Sequence, residues 1–330
     1  MLLIMRIVSL VPSATETLFA LGLGPDVIAV THECDYPAEA TRLPIITRST
    51  LDHGTRRSHD IHAHISAALH RGSSIYQLDQ GLLERLAPNL ILTQELCDVC
   101  AVSYELVETA VRRLSGAPSI LSLEPTTLHG ILDTIRQVGD AAGCEPRAGA
   151  LVQDLEEYIG AISVQIRAAL RPRVFAMEWL DPPFTAGHWV PEMVRLAGGR
   201  DELGHEGSPS VQVPGREIAD YDPEIIVLMP CGFTRERTLE ELAHVSLPEE
   251  WGALSAVRSG RVFAVNGSAY FSRPGPRIVV GLQILAEIIH PEIFPRTTPP
   301  EAVTGTAATA TSVGEVGPGP AHVVCCSIAM

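Results

Sequence analysis

The sequence predicts an α/β protein of two similar lobes joined by one long helix, and three observations predict it. The chain has 330 residues, more than one compact domain ordinarily holds, and 46% are hydrophobic, enough for packed cores. One local device occurs twice: APNLILTQ at 87–94 and DPEIIVLMP at 222–230 each read as a helix end, a proline and a buried strand. Between them runs the longest helical pattern, 146–170, with Leu151, Leu155, Tyr158, Ile162, Ile166 and Leu170 recurring at steps of three and four. At 1.5 Å per residue it would span roughly 35 Å. These features divide the chain into a first lobe at 5–125, a helical connector at 126–171 and a second lobe at 172–296. Residues 297–330 are rich in Thr, Ala, Gly and Pro without periodicity, which predicts a disordered tail.

Taken in order, 7–11 reads as a short buried strand. Ser13 and Glu16 then match a capping box at the start of a helix that runs to Gly22, a position suited to a left-handed cap. A strand follows at 27–31. Residues 52–70 are polar and carry His53, His59, His62, His64 and His70, a pattern open to a metal cluster but commoner on a solvated helix face. A helix at 79–87, strands at 90–93 and 119–123, and a helix at 128–142 complete the first half. In the second, 173–179, 225–229 and 262–265 read as strands, and 277–289 as a final helix stopped by Pro291.

The net charge of −15 argues against nucleic acid and anionic membrane surfaces. All 24 basic residues are arginine. The opening MLLIMRIVSL lacks a basic segment and a cleavage site, and it is too short to span a membrane. With seven cysteines, an odd number, this predicts a reducing, cytoplasmic setting. The alternative is a start further upstream and a periplasmic or cell-surface protein.

Ligands of open α/β folds bind beyond the carboxyl ends of strands, so the loops there are the candidate site. The first loop carries His32, Glu33, Cys34, Asp35 and Tyr36: ligand contacts, or a polar turn with a capping acid. The second carries Gln94, Cys97 and Cys100. C-x-x-C spacing suits a ligand-contacting or redox pair, plain buried thiols, or half of a zinc site whose second pair is missing. The third stretch, 173–199, holds Trp179, Phe184, His188 and Trp189 around a Pro-rich turn. From composition alone these aromatics are core packing. A fourth segment holds Tyr270 and Arg273. No G-x-S-x-G, P-loop or G-x-G-x-x-G motif is present, which predicts a protein that is not an enzyme.

Four stretches add a resemblance. RIVSLVPSATETLFALGLG at 6–24, VTHECDYPAEA at 30–40, RVF…DPPFTAGHW…VRLAGG at 173–199 and YFSRPGPRIVVGLQIL at 270–285 resemble the cobalamin-binding members of the class III periplasmic binding proteins of ABC importers. Siderophore and haem binders belong to the same class. The resemblance spans about 6–293. It implies two Rossmann-like lobes with a rigid connecting helix, a cobalamin held between them, and no catalysis. It assigns ligand contacts to His32, Glu33, Cys34, Tyr36, Gln94, Cys97, Cys100, Trp179, Phe184, Trp189, Tyr270 and Arg273. Glu33 stands where the family places an aromatic. Haem, a siderophore, a metal ion, or redox work at Cys97 and Cys100 remain the alternatives. The family's permease-docking glutamates fall at Gly81 and Arg216, neither acidic, with Glu84 and Glu217 nearby. That departure predicts a monomeric corrinoid binder that does not dock to a permease in the family manner; the alternative is docking through Glu84 and Glu217.

Overall fold

The computed structural model describes residues 5–49, 56–70, 76–94, 104–112 and 116–306. The first half contains β1 (Ile7–Ser9), α1 (Pro12–Ala20), β2 (Val27–Ala29), β3 (Thr47–Ser49), α2 (Ser58–His70), β4 (Tyr76–Leu78), α3 (Gln80–Leu86), β5 (Leu90–Thr93), α4 (Tyr104–Val111) and β6 (Ser119–Ser122). Helices α5 (Leu128–Ala141) and α6 (Glu145–Gln165) follow. The second half contains β7 (Val174–Trp179), β8 (Phe184–Thr185), α7 (Val190–Leu196), α8 (Gly215–Tyr221), β9 (Ile225–Leu228), α9 (Arg235–Leu242), α10 (Ser255–Arg258), β10 (Val262–Val265), α11 (Gly267–Tyr270), α12 (Ile278–Ile289) and β11 (Val303–Gly305).

Apart from the antiparallel β3–β4 pair, the strands form two separate sheets, as the repeated device predicts. The first is parallel, in the order β2-β1-β5-β6. The second runs β11-β10-β9-β7-β8, with a parallel centre and an antiparallel strand at each edge. Continuous apolar runs such as LILT and IIVL are buried along their whole length, as expected where helices cover both faces of a sheet. Helices α3 and α8 are each seven residues long and end on a left-handed residue, Ala87 (φ 42) and Asp222 (φ 45). Each then enters a central strand, so the halves share one plan. This is the two-lobed class III periplasmic-binding-protein fold.

Three local expectations change. The first helix begins at Pro12, not at a Ser13 cap: proline suits the first helical position, so Val11 becomes the cap and Glu16 is drawn into the interior, 3% exposed. Gly22, at φ +70, does terminate that region. The connecting helix is α6, 21 residues and about 32 Å long. Its buried face is Ala148, Val152, Leu155 and Ile162, continued by Ile166, whereas Tyr158 and Leu170 are exposed. Successive steps of four drift around the helix, and the chain leaves α6 before Leu170, so the predicted stripe could not stay on one side. Residues 297–306, expected in the tail, belong to the fold. Thr297 and Thr298 donate to the Glu287 carboxylate, and β11 pairs with β10. Residues 307–330 lie outside the described residues. No helix among those described is long and apolar enough to cross a membrane.

Candidate functional site

The loops beyond the strand carboxyl ends of the two sheets meet, and they meet through two polar contacts of different make. The first is a clamp of two arginines from the second half on acids of the first. Arg273 follows α11 and is 8% exposed. Its guanidinium donates from both terminal nitrogens to the Asp35 carboxylate, to the Glu33 carbonyl at 3.1 Å, and reaches Glu16 at 3.4 Å. Arg277, at the start of α12, donates to Glu16 from Nε at 2.8 Å and from Nη2 at 2.5 Å. Its guanidinium lies 3.9 Å from the centre of the Tyr36 ring and 5.6 Å from that of Tyr270. A planar fork on a carboxylate fixes orientation as well as charge. Glu33, Tyr36, Tyr270 and Arg273 thus lie together around the two guanidinium groups. Arg277 and Glu16 complete the group without having been assigned to it, and Asp35 of the first candidate loop joins them through Arg273. Nothing local could have signalled them, because the partners are about 240 to 260 residues apart in the chain.

The second contact is a latch between α2 and the second half. Glu241 on α9 is 1% exposed. One carboxylate oxygen accepts from the Ser58 backbone N–H and hydroxyl, both at 2.7 Å, at the start of α2. The other accepts from Arg237 at 3.0 Å and faces Arg57 at 3.6 Å. Burial pushes this carboxyl up, but the Ser58 and Arg237 bonds outweigh it and hold it below its ordinary value of 4.5. Beside the latch, His59 approaches Asp181 at 3.8 Å, and the Asp181 carboxyl is raised by burial. Behind it, Ile61 and Ile65 of α2 share one apolar cluster with Trp179, Phe184 and Phe233 of the second half.

Several predicted contacts are therefore covered. Phe184 is 1% exposed and Trp179 2%, with the Trp179 ring against Phe233 at 5.2 Å and its Nε1 donating to the Asp181 carbonyl at 3.1 Å. Trp189 lies in the core, where Nε1 donates to the Phe271 carbonyl at 2.8 Å and ties α7 to the clamp segment. Cys34 is buried, its Sγ 3.1 Å from the Thr15 hydroxyl, and burial pushes its thiol up. A protonated buried thiol packs rather than ligates. His32 stays at the rim, its Nδ1 2.8 Å from the Thr47 hydroxyl and its Nε2 3.3 Å from Glu33. Gln94, just past β5, is partly exposed. Cys97 and Cys100 lie outside the described residues. Among those described, no group of three or more metal-ligating side chains converges.

Two α/β lobes of one plan, with their strand-end loops facing one another, are the architecture of a substrate-binding protein. Residues 7–269 match the periplasmic binding protein family, and the chain belongs to it. It is 24% identical over 297 residues to an ABC transporter substrate-binding lipoprotein of Bacillus subtilis, covering 88% of this chain and 81% of that one. It is 24% identical over 276 residues to a vitamin B12-binding protein of Vibrio parahaemolyticus, covering 82% and 84%. Its fold matches the periplasmic haem-binding protein RhuT of Roseiflexus sp. RS-1, with a TM-score of 0.64, 22% identity, and coverage of 87% and 98%. The family is one of non-catalytic binding proteins.

These relatives overturn the cytoplasmic expectation. One is an ABC transporter substrate-binding lipoprotein and another a periplasmic haem-binding protein, and membership of the periplasmic binding protein family implies an ABC permease partner. The expectation rested on the opening residues and the odd cysteine number, neither of which constrains where a folded lobe works.

Proposed function

We propose that the protein binds a corrinoid, in the size range of cobalamin, between its two lobes and presents it to an ABC permease. The arginine clamp carries this reading. Tyr36 and Tyr270 flank Arg277 beside Arg273, so two aromatic faces and two guanidinium forks converge where the strand ends of both sheets meet. A flat ring with a rim of amide carbonyls uses both features: stacking on the aromatics and accepting from the forks. The sequence relation to a vitamin B12-binding protein supports the choice. Haem is the second reading, favoured by the fold match and by the imidazoles of His32, His62 and His188 near the same loops. Glu84 on α3 and Glu217 on α8 are exposed on the paired helices and are the acids we assign to docking.

The test is calorimetric titration with cyanocobalamin, hemin and a ferric siderophore. Cobalamin should bind, and Tyr36→Ala with Tyr270→Ala should weaken it by about 1–3 kcal/mol. Binding of hemin or the siderophore with no heat from cobalamin would overturn the corrinoid reading.

A further inference from the structure

A cavity lies at the far end of the second half from the cleft. Pro172, Glu224 and Arg261 line it, and they stand just before β7, β9 and β10, at the amino ends of those strands. The loops that face the first half lie beyond the opposite, carboxyl ends. The cavity measures about 760 Å³, within the roughly 300–1,000 Å³ of small-molecule sites. Much of its wall comes from α12, residues 290–296 and Val303 of β11, past residue 269, where the family match ends. That closing segment is pinned: Thr297 and Thr298 donate to Glu287, Arg296 donates to the Val303 carbonyl, and β11 pairs with β10.

The lining is apolar below and charged around the rim. Phe263, Ile284, Ile288 and Phe294 supply the apolar part, and Leu170 on the same lining is 89% exposed. The three lining acids are already engaged. Glu287 accepts from both threonines, Glu224 accepts from the Arg173 backbone N–H and faces its guanidinium at 3.6 Å, and Glu292 lies 3.1 Å from His290. The three lining arginines are not engaged in the same way. Among the described residues none of them pairs with a carboxylate, although Arg261 is near enough to help hold the Glu292 carboxyl below its ordinary value. Arg261 donates from Nη2 to the Ile288 and Ile289 carbonyls, both at 3.2 Å, Arg296 from Nη2 to Val303, and Arg171 from Nη1 to the Arg195 carbonyl at 3.4 Å. Capping the carboxyl end of α12 accounts for one nitrogen of Arg261, whereas a guanidinium carries five N–H donors and a full charge.

We propose that this cavity is a second binding site and that its ligand is an amphipathic carboxylate of the fatty-acid type. The apolar chain lies on Phe263, Ile288 and Phe294, and the carboxylate takes the remaining donors of Arg261 and Arg296, with Arg171 beside them. A guanidinium fork matches a carboxylate in shape as well as charge. A cation would find each acid occupied, and a neutral chain would leave the arginines unused. The proposal stands apart from the corrinoid reading, because the two sites lie at opposite ends of the second sheet.

Decanoate, decanol and decyltrimethylammonium are the probes. Each is titrated by calorimetry into the full chain, as wild type, Arg261→Gln, Arg296→Gln and Arg171→Gln, with folding checked by thermal melting. Decanoate should bind wild type at least about tenfold more tightly than decanol, and the ammonium should bind more weakly than either. Arg261→Gln and Arg296→Gln should each weaken decanoate about tenfold and leave decanol unchanged. Arg171 is exposed, so Arg171→Gln keeps the test open where a cap variant fails to fold, and it should weaken decanoate by about threefold. Irradiation with a diazirine-bearing decanoate should label residues 284–303 or Leu170. No binding of decanoate, equal affinity for decanoate and decanol, unchanged decanoate affinity in the folded variants, or a label on the strand-end loops of the cleft overturns the proposal. Each of these outcomes leaves the cobalamin titration of the cleft to stand or fall on its own.

Discussion

The clamp and the latch both bury a carboxylate between the two halves, yet they distribute charge differently. Glu16 belongs to the first half, and both cations that satisfy it come from the second. Glu241 belongs to the second half and is neutralised by Arg237 four residues before it on the same helix. Across the cleft it receives only the N–H and hydroxyl of Ser58, with Arg57 further off. Parting the halves at the clamp would separate opposite charges in a dry interior. At the latch it would separate a helix start from its cap and leave the ion pair intact. The clamp is thus the stiff contact, and the latch is the weaker of the two.

The largest expected effect comes from breaking the clamp. Glu16→Ala leaves Arg277 without its acid partner and Arg273 with Asp35 alone. Urea unfolding should show a loss of about 3 kcal/mol, at the low end for an orphaned buried charge. A loss below about 1 kcal/mol would put the clamp on a par with a surface pair and dissolve the contrast.

Glu241→Ala should cost less, about 1–2 kcal/mol, as removal of a helix cap does. Its signature is local: amide exchange should rise in α2 while the strands of both sheets keep their protection. Equal loss of protection in both sheets would mean that α2 is part of the rigid frame and not a separable segment.

The smallest effect is on pH. Glu241 has a folded-state pKa below 4.5, so its contribution is present above that value and is lost as the pH falls through the folded-state pKa. Exchange in α2 should therefore rise below pH 4.5 in wild type. Glu241→Gln, which mimics the protonated acid, should flatten that dependence. Asp181, facing His59 at the same end, titrates from a value raised first by burial and in smaller part by the Glu241 charge, so Glu241→Gln lowers it somewhat without removing it, and any response that survives in the variant belongs to Asp181.

The sequence by itself determined the two-lobed plan. Buried parallel strands need unbroken apolar runs, and the helix-proline-strand device occurs at 87–94 and 222–230 because each lobe solves the same local problem. The family was legible for a related reason: Pro-rich turns, small residues and aromatics at strand ends are constrained by nearby backbone, so they persist as short motifs. Tyr36, Tyr270 and Arg273 were proposed that way. Only the tertiary structure decided what these residues do with one another. Glu16 reads locally as a capping acid, and it becomes a buried interlobe anchor because Pro12 starts the helix earlier and Arg273 and Arg277 arrive from the far end of the chain. Trp189 and Phe184 read as ligand surface, and they are covered because α7 and α2 pack over them. Helical periodicity places His62 on a face, but it does not say what the face meets. Periodicity and caps are properties of a few consecutive residues. Burial and pairing across a cleft are properties of positions a whole lobe apart, which only the folded chain brings together.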